Sequence, residues 1–178
     1  FRLFPQPKQT ETLILALQNV EAAITLLSHC RERTGDQVSA CEYISGNAMT
    51  LVTQHIEGCR PPFSSDCDHY LLVEVATSRE GTDVRLQVEG IVEDAFDQEL
   101  ITDAVIAESL AHREDFWRLR EHISEAERQA GRGLHFDISV PISAIPAFMQ
   151  EAEAHITQAI PEALLVPFGH IGDGNLHY

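Results

Sequence analysis

The sequence predicts an α+β fold: a ferredoxin-like split βαβ sandwich, with room for two fused halves. Three observations predict it. Runs of period-two alternation are interleaved with stretches whose apolar residues recur every three or four positions. The first of these read strand, helix, strand, strand, helix, strand, with one short extra helix inserted, which is the order of a split βαβ unit. A chain of 178 residues with 44% hydrophobic content has enough apolar surface for one medium domain or two small halves, 1–110 and 111–178.

Each element follows from local chemistry. Leu13, Leu15 and Leu17 alternate with smaller or polar residues and read as a strand. Asn19 can cap a helix striped by Val20, Ala23, Ile24, Leu27 and Cys30, with Gly35 beyond its end. Residues 38–44 read as a second strand, 46–56 as a short helix, and 61–68, dense in Pro, Ser and Asp, as a loop. Residues 70–76 are a strongly apolar strand. Thr82 can cap a helix carrying Val84, Val88, Ile91, Val92 and Ala95 on one side, and 101–107 is a further strand. One long helix is expected over 113–130, striped by Phe116, Leu119, Ile123, Ala126 and Ala130 and ended by Gly131 and Gly133. Residues 135–140 alternate, with Phe136, Ile138 and Val140 on one face and His135, Asp137 and Ser139 on the other. Ser143 can cap a last helix striped by Ile145, Phe148, Met149, Ala152, Ile156 and Ala159, and Pro161 stops it. A final apolar strand over 163–168 delivers the chain into a glycine-rich end.

Bulk properties exclude several classes. A formal net charge of −16 argues against a nucleic-acid partner, which needs clustered Lys and Arg. No apolar run approaches bilayer-spanning length, and no signal peptide is expected. A cytoplasmic protein, at most peripheral to a membrane, is expected. The chain starts at Phe1 rather than Met and reads as excised from something longer. Cys30, Cys41, Cys59 and Cys67 form no C-x-x-C pair, so reduced, structural thiols are expected.

The last ten residues, Gly169 to Tyr178, are the most informative stretch. His170 and His177 lie seven positions apart, with Gly172, Asp173, Gly174 and Asn175 between them. Glycines make a helix unfavourable here, and an odd separation along one strand puts side chains on opposite faces. The two imidazoles can act at one point only if the backbone folds sharply between them, which glycine permits. They are candidate divalent-metal ligands, because neutral imidazole is a common one. Two histidines do not complete a metal site, so a further ligand is expected elsewhere. Other readings are a plain hairpin turn, two histidines near a surface turn, or a backbone nest for an anion.

Trp117, Arg120 and Ser124 share a helix face distinct from the apolar stripe. A guanidinium there can pair bidentately with a substrate carboxylate; the plainer alternative is a solvated ion pair with Glu121 or Glu127. His135, Asp137 and Ser139 form a polar strand face, which also suits simple solvent exposure.

Taken together, these residues resemble a family. The segment 168–177, Phe-Gly-His-Ile-Gly-Asp-Gly-Asn-Leu-His, is similar to the signature of the FAD-linked oxidase C-terminal (cap) domain of vanillyl-alcohol-oxidase-type flavoenzymes, including D-lactate, D-2-hydroxyglutarate and glycolate dehydrogenases. Leu3-Phe4-Pro5-Gln6-Pro7 resembles the exit from the FAD domain. Residues 116–121, containing Trp117, Arg120 and Glu121, resemble the family's Trp-x-x-Arg-Glu helix, and 136–141 its Asp-hydrophobic-Ser-hydrophobic-Pro strand. The resemblance runs over essentially the whole chain.

It implies specific roles. His170 and His177 would bind a divalent metal, often zinc, completed by a Glu from a downstream Glu-His segment. Arg120 would grip the substrate carboxylate, with Ser124 and His135 assisting. Asn175, with Gly174 beside it, would lie at the flavin–substrate junction, and His177 and Asn175 would serve catalysis. The metal would orient the 2-hydroxyl and lower its pKa. The family often has Lys where this chain has His135, which bears on how a second substrate anion is held. The parent enzyme would oxidise a small D-2-hydroxy acid to the 2-oxo acid and pass electrons from FAD to a quinone, cytochrome or electron-transfer flavoprotein. The chain alone, lacking the FAD-binding domain and the Glu-His segment, is expected to be inactive. The rival reading is a free-standing ferredoxin-like ligand-binding or regulatory module.

Overall fold

Alternation and helical stripes become strands and helices in the computed structural model, which describes residues 6–178. Of the Leu3–Pro7 motif, residues 3–5 therefore lie outside the described residues. The strands are β1 (Gln9–Leu17), β2 (Val38–Ser45), β3 (His69–Thr77), β4 (Ile101–Ile106), β5 (Asp137–Ser139), β6 (Phe168–His170) and β7 (Asn175–His177). The helices are α1 (Val20–Thr34), α2 (Gly46–His55), α3 (Val84–Asp97), α4 (Leu110–Glu121), α5 (Ile123–Ala130) and α6 (Ile145–Ala159).

The strands form one seven-stranded sheet in the order β4-β1-β3-β2-β6-β7-β5, antiparallel throughout its paired strands. Its first four strands have the 4-1-3-2 order of a split βαβ sandwich, as the sequence predicts. The later strands extend the same sheet from β2 outward. Leu13, Leu15, Tyr43, Leu71 and Val73 face one side, packed with α1, α3 and α6. Ile14, Ile44, Tyr70 and Leu72 face the other, packed with α2, α4 and α5. Covered on both faces, β1 and β3 are buried at successive positions rather than alternate ones.

Capping chemistry sets the ends of α1 as expected: the Asn19 side chain accepts from the Ala22 amide, and Gly35 adopts a left-handed conformation at φ 62°. All four cysteines are free thiols, with Cys30 and Cys41 buried.

Several local expectations need correction. The cap of α3 is Asp83, whose carboxylate accepts from the Leu86 amide, not Thr82. The single helix expected over 113–130 is two, because His122 leaves helical geometry (φ −98°, ψ 6°) and its Nδ1 lies 3.0 Å from the Arg118 carbonyl oxygen. Ser143 does not cap α6; it sits in a short 3-10 turn, and α6 starts through Pro146, whose fixed φ suits a first turn. The strand expected over 163–168 is Phe168–His170, and Leu164 is exposed. Flanking Pro161 and Pro167 lack the amide donor that a ladder needs. The strand expected over 135–140 shrinks to Asp137–Ser139, and Phe136 points to solvent.

Candidate functional site

Sheet register builds the site. On β2, Cys41 and Tyr43 face one core, so Glu42 faces the other, toward α4. His170 on β6 lies directly opposite Glu42. Between β6 and β7 the chain reverses through Gly174 (φ +82°), and His177 comes to rest opposite Phe168 and Asp137. Phe168 and His170 are two residues apart, hence on one face, so His177 lands diagonally beside His170 on that face. The two imidazole centroids are 6.3 Å apart. The sharp fold that the spacing demands is a hairpin turn, and the turn and the convergence are the same feature.

The turn tolerates little else. A Cβ on Gly174 would collide with the Val140 carbonyl oxygen, and one on Gly169 with that of Asn175.

A carboxylate bonds to Nδ1 of one candidate ligand and lies near that of the other. His170 Nδ1 is 2.5 Å from Glu42 Oε1. His177 Nδ1 is 3.9 Å from Asp137 Oδ1, which also accepts from Asn175 Nδ2 at 2.6 Å. Only the His170 contact is within hydrogen-bond distance, and a carboxylate at Nδ1 with Nε2 left over is the arrangement usual for metal-binding histidines. Burial, the neighbouring Arg120 charge and His170 together hold the His177 pKa below its ordinary value, against the pull of Asp137 and Glu42. A neutral ring is the form that ligates. No group of three or more His, Cys, Asp or Glu poised to hold a metal is present among the described residues. The histidine pair offers two imidazole donors, one fewer than the three protein ligands usual at a catalytic zinc site.

Arg120 is not the solvated side chain that its helix position suggests. It is 9% exposed, and its Nε donates to Glu42 Oε2 at 2.8 Å, so its partner is neither Glu121 nor Glu127. Its guanidinium carbon lies 4.8 Å over the Phe168 ring, which stacks on His177 at 4.9 Å. The Nη groups of Arg120 make no hydrogen bond to the described residues, and a fork with free Nη atoms can take a carboxylate.

Trp117 and Ser124 do not join Arg120 in one cluster. Trp117 Nε1 donates to Glu74 Oε2 at 3.0 Å, a buried carboxylate that also takes Arg113, Thr12 and Ser39. The break at His122 places Ser124 on α5, where it is exposed. There it lines a cleft of about 300 Å³ with Glu127, Arg128, His135, Asp137 and His177. His135 Nδ1 lies 3.7 Å from Glu127 Oε2, a carboxyl group whose pKa burial raises. So Ser124, His135 and His177 share a cleft, with Arg120 beyond His177 and Phe168. A larger cavity of about 700 Å³, lined by Tyr43, Ser45, Thr50 and His69, includes neither His170 nor His177.

Glu42 is the residue that sequence reasoning missed. An acid inside the run Val-Ser-Ala-Cys-Glu-Tyr-Ile signals an inward charge only if its face is known, and both faces of β2 are covered.

Comparison with known proteins places the chain. The D-2-hydroxyglutarate dehydrogenase of Arabidopsis thaliana, a mitochondrial protein by name, is 32% identical over 177 residues, covering 98% of this chain and 31% of that protein. Proteins of the same name from Xanthomonas citri pv. viticola and Stutzerimonas stutzeri are each 33% identical, covering 99% of this chain and 36% and 37% of themselves. The chain thus spans about a third of the length of these relatives. The family model described as FAD linked oxidases, C-terminal domain, matches residues 6–178, and the chain belongs to that family.

Proposed function

We propose that the chain is the substrate- and metal-binding cap domain of an FAD-dependent dehydrogenase that oxidises a D-2-hydroxy acid to the 2-oxo acid. The observation that carries the reading is the convergence of His170 and His177 at 6.3 Å beside Arg120, in a chain of this family. The match over nearly the whole chain favours it over a free-standing ligand-binding module. In this reading 1–110 and 111–178 are two halves of one cap.

The residues divide the work. His170 and His177 would hold the cation, with the Glu42 carboxylate at His170 Nδ1 orienting that ring. A cation held there would supply Lewis-acid polarisation of the 2-hydroxyl, and FAD would supply the hydride acceptor. Arg120 offers Nη donors to the 1-carboxylate, and Ser124 and His135 serve the other end of the substrate. Asn175 keeps its Oδ1 free while Nδ2 is held by Asp137, which suits the flavin–substrate junction, and the Gly174 turn sets its height. Zinc is the proposed metal, since imidazole suits it. FAD itself would be held chiefly by another part of the parent, and a quinone, cytochrome or electron-transfer flavoprotein would take the electrons.

No helix among the described residues is long and apolar enough to cross a membrane. A cytoplasmic, at most membrane-peripheral, location is proposed, although the Arabidopsis relative is named mitochondrial.

The test is dye-linked oxidation by the purified parent enzyme, with D- and L-forms of 2-hydroxyglutarate and lactate. Turnover of a D-form, lost in chelator and restored by zinc, supports the assignment. No turnover of any D-2-hydroxy acid overturns it.

A further inference from the structure

We propose that Glu42 is a positioning residue: its carboxylate fixes the tautomer of His170 and cancels the charge of Arg120, so that the histidine pair can present lone pairs to a divalent cation. This rests on the reading of His170 and His177 as cation ligands and assigns the group that makes them so.

The geometry is specific. Glu42 is 3% exposed and uses one oxygen for each partner: Oε1 to His170 Nδ1 at 2.5 Å, and Oε2 to Arg120 Nε at 2.8 Å. Each carboxylate oxygen is the acceptor in its contact, facing the guanidinium N–H on one side and the ring nitrogen on the other. His170 Nδ1 must therefore carry the proton. In the neutral ring that leaves the lone pair on Nε2, the form a metal requires. The second effect is electrostatic. Arg120 lies over Phe168, and Phe168 stacks on His177, so an uncompensated guanidinium would stand beside the cation site and repel a dication. Glu42 removes that field from inside a buried site. Glu74 gives the contrast within the same molecule. It is 8% exposed and equally well bonded, but its donors, Thr12, Ser39, Arg113 and Trp117, include no candidate ligand. Its role is structural.

The test uses the full-length parent protein stripped of metal, with zinc alone as the probe. In the wild type, ¹⁵N-histidine NMR is expected to show His170, assigned by its loss in His170→Ala, as the Nδ1–H tautomer. The Nε2–H tautomer there overturns the proposal without any Glu42 variant. Zinc affinity from chelator competition is expected to fall about 10–100-fold in Glu42→Gln. Arg120→Met, which breaks the other half of the same carboxylate, is expected to lower thermal stability without lowering zinc affinity. Equal zinc affinity in wild type and Glu42→Gln, with only stability lost, makes Glu42 a structural partner of Arg120 and overturns the proposal. A metal reading that is itself wrong shows differently: His170→Ala and His177→Ala then leave zinc affinity unchanged, and both conclusions fall.

Discussion

Glu42 and His170 stand opposite each other on neighbouring strands, and the Nδ1 of the histidine is 2.5 Å from the carboxylate. One buried acid thereby joins a helix residue, Arg120, to the glycine-rich hairpin. The site is a property of sheet register as much as of the signature that announces it.

Arg120 contributes to folding as well as to the proposed binding. A surface arginine could be exchanged for lysine with no change in stability. This one is buried, paired and stacked. Arg120→Lys keeps the charge but loses the Nε bond, and is expected to cost about 1–2 kcal/mol. Arg120→Met leaves a buried carboxylate short of its partner and is expected to cost about 3–5 kcal/mol. Chemical denaturation of the two variants measures both. Stability equal to wild type in both means that the pair is absent in solution.

Gly174 holds the hairpin. At φ +82°, with the Val140 carbonyl in the way of any Cβ, Gly174→Ala is expected to cost at least about 2 kcal/mol and to separate the histidines. Thermal unfolding and zinc titration should fall together. A variant with normal stability and normal zinc binding would remove the turn from the account.

A pH effect comes from the opposite face of the sheet. Burial holds His69 below its ordinary pKa of 6.5, outweighing Asp68, Glu153 and Glu21, and its Nδ1 lies 2.7 Å from the Tyr43 hydroxyl. The folded state therefore binds this proton less readily than the unfolded chain. Its contribution is whole above about pH 6.5 and is lost as pH falls through the folded value. Thermal stability should drop between pH 7 and pH 5, and His69→Gln should flatten that drop. An identical slope in the variant assigns the acid sensitivity to other groups.

Much of this was legible in the sequence, for physical reasons. Asn19 and Gly35 bracket α1 because cap chemistry is local. The alternation of Leu13, Leu15 and Leu17 gave β1 because period two is local as well. The break at His122 was hidden, since Phe116, Leu119, Ile123 and Ala126 are buried on both sides of it and the stripe continues across. Ser143 has the chemistry of a cap, but the 3-10 turn before Pro146 displaces it. At the site, the hairpin and the pairing of His170 with His177 follow from the glycines. The partner of Arg120 does not, because Glu42 is 78 positions away in sequence and its meeting with Arg120 depends on which face of β2 receives α4.

The most direct measurement of the central claim is anaerobic stopped-flow bleaching of the flavin in the full-length enzyme mixed with D-2-hydroxyglutarate. The wild type is expected to bleach in a single turnover, while His170→Ala and His177→Ala, with flavin still bound, slow it by at least about a hundredfold. Bleaching at the wild-type rate in both variants would contradict a catalytic site built on this histidine pair.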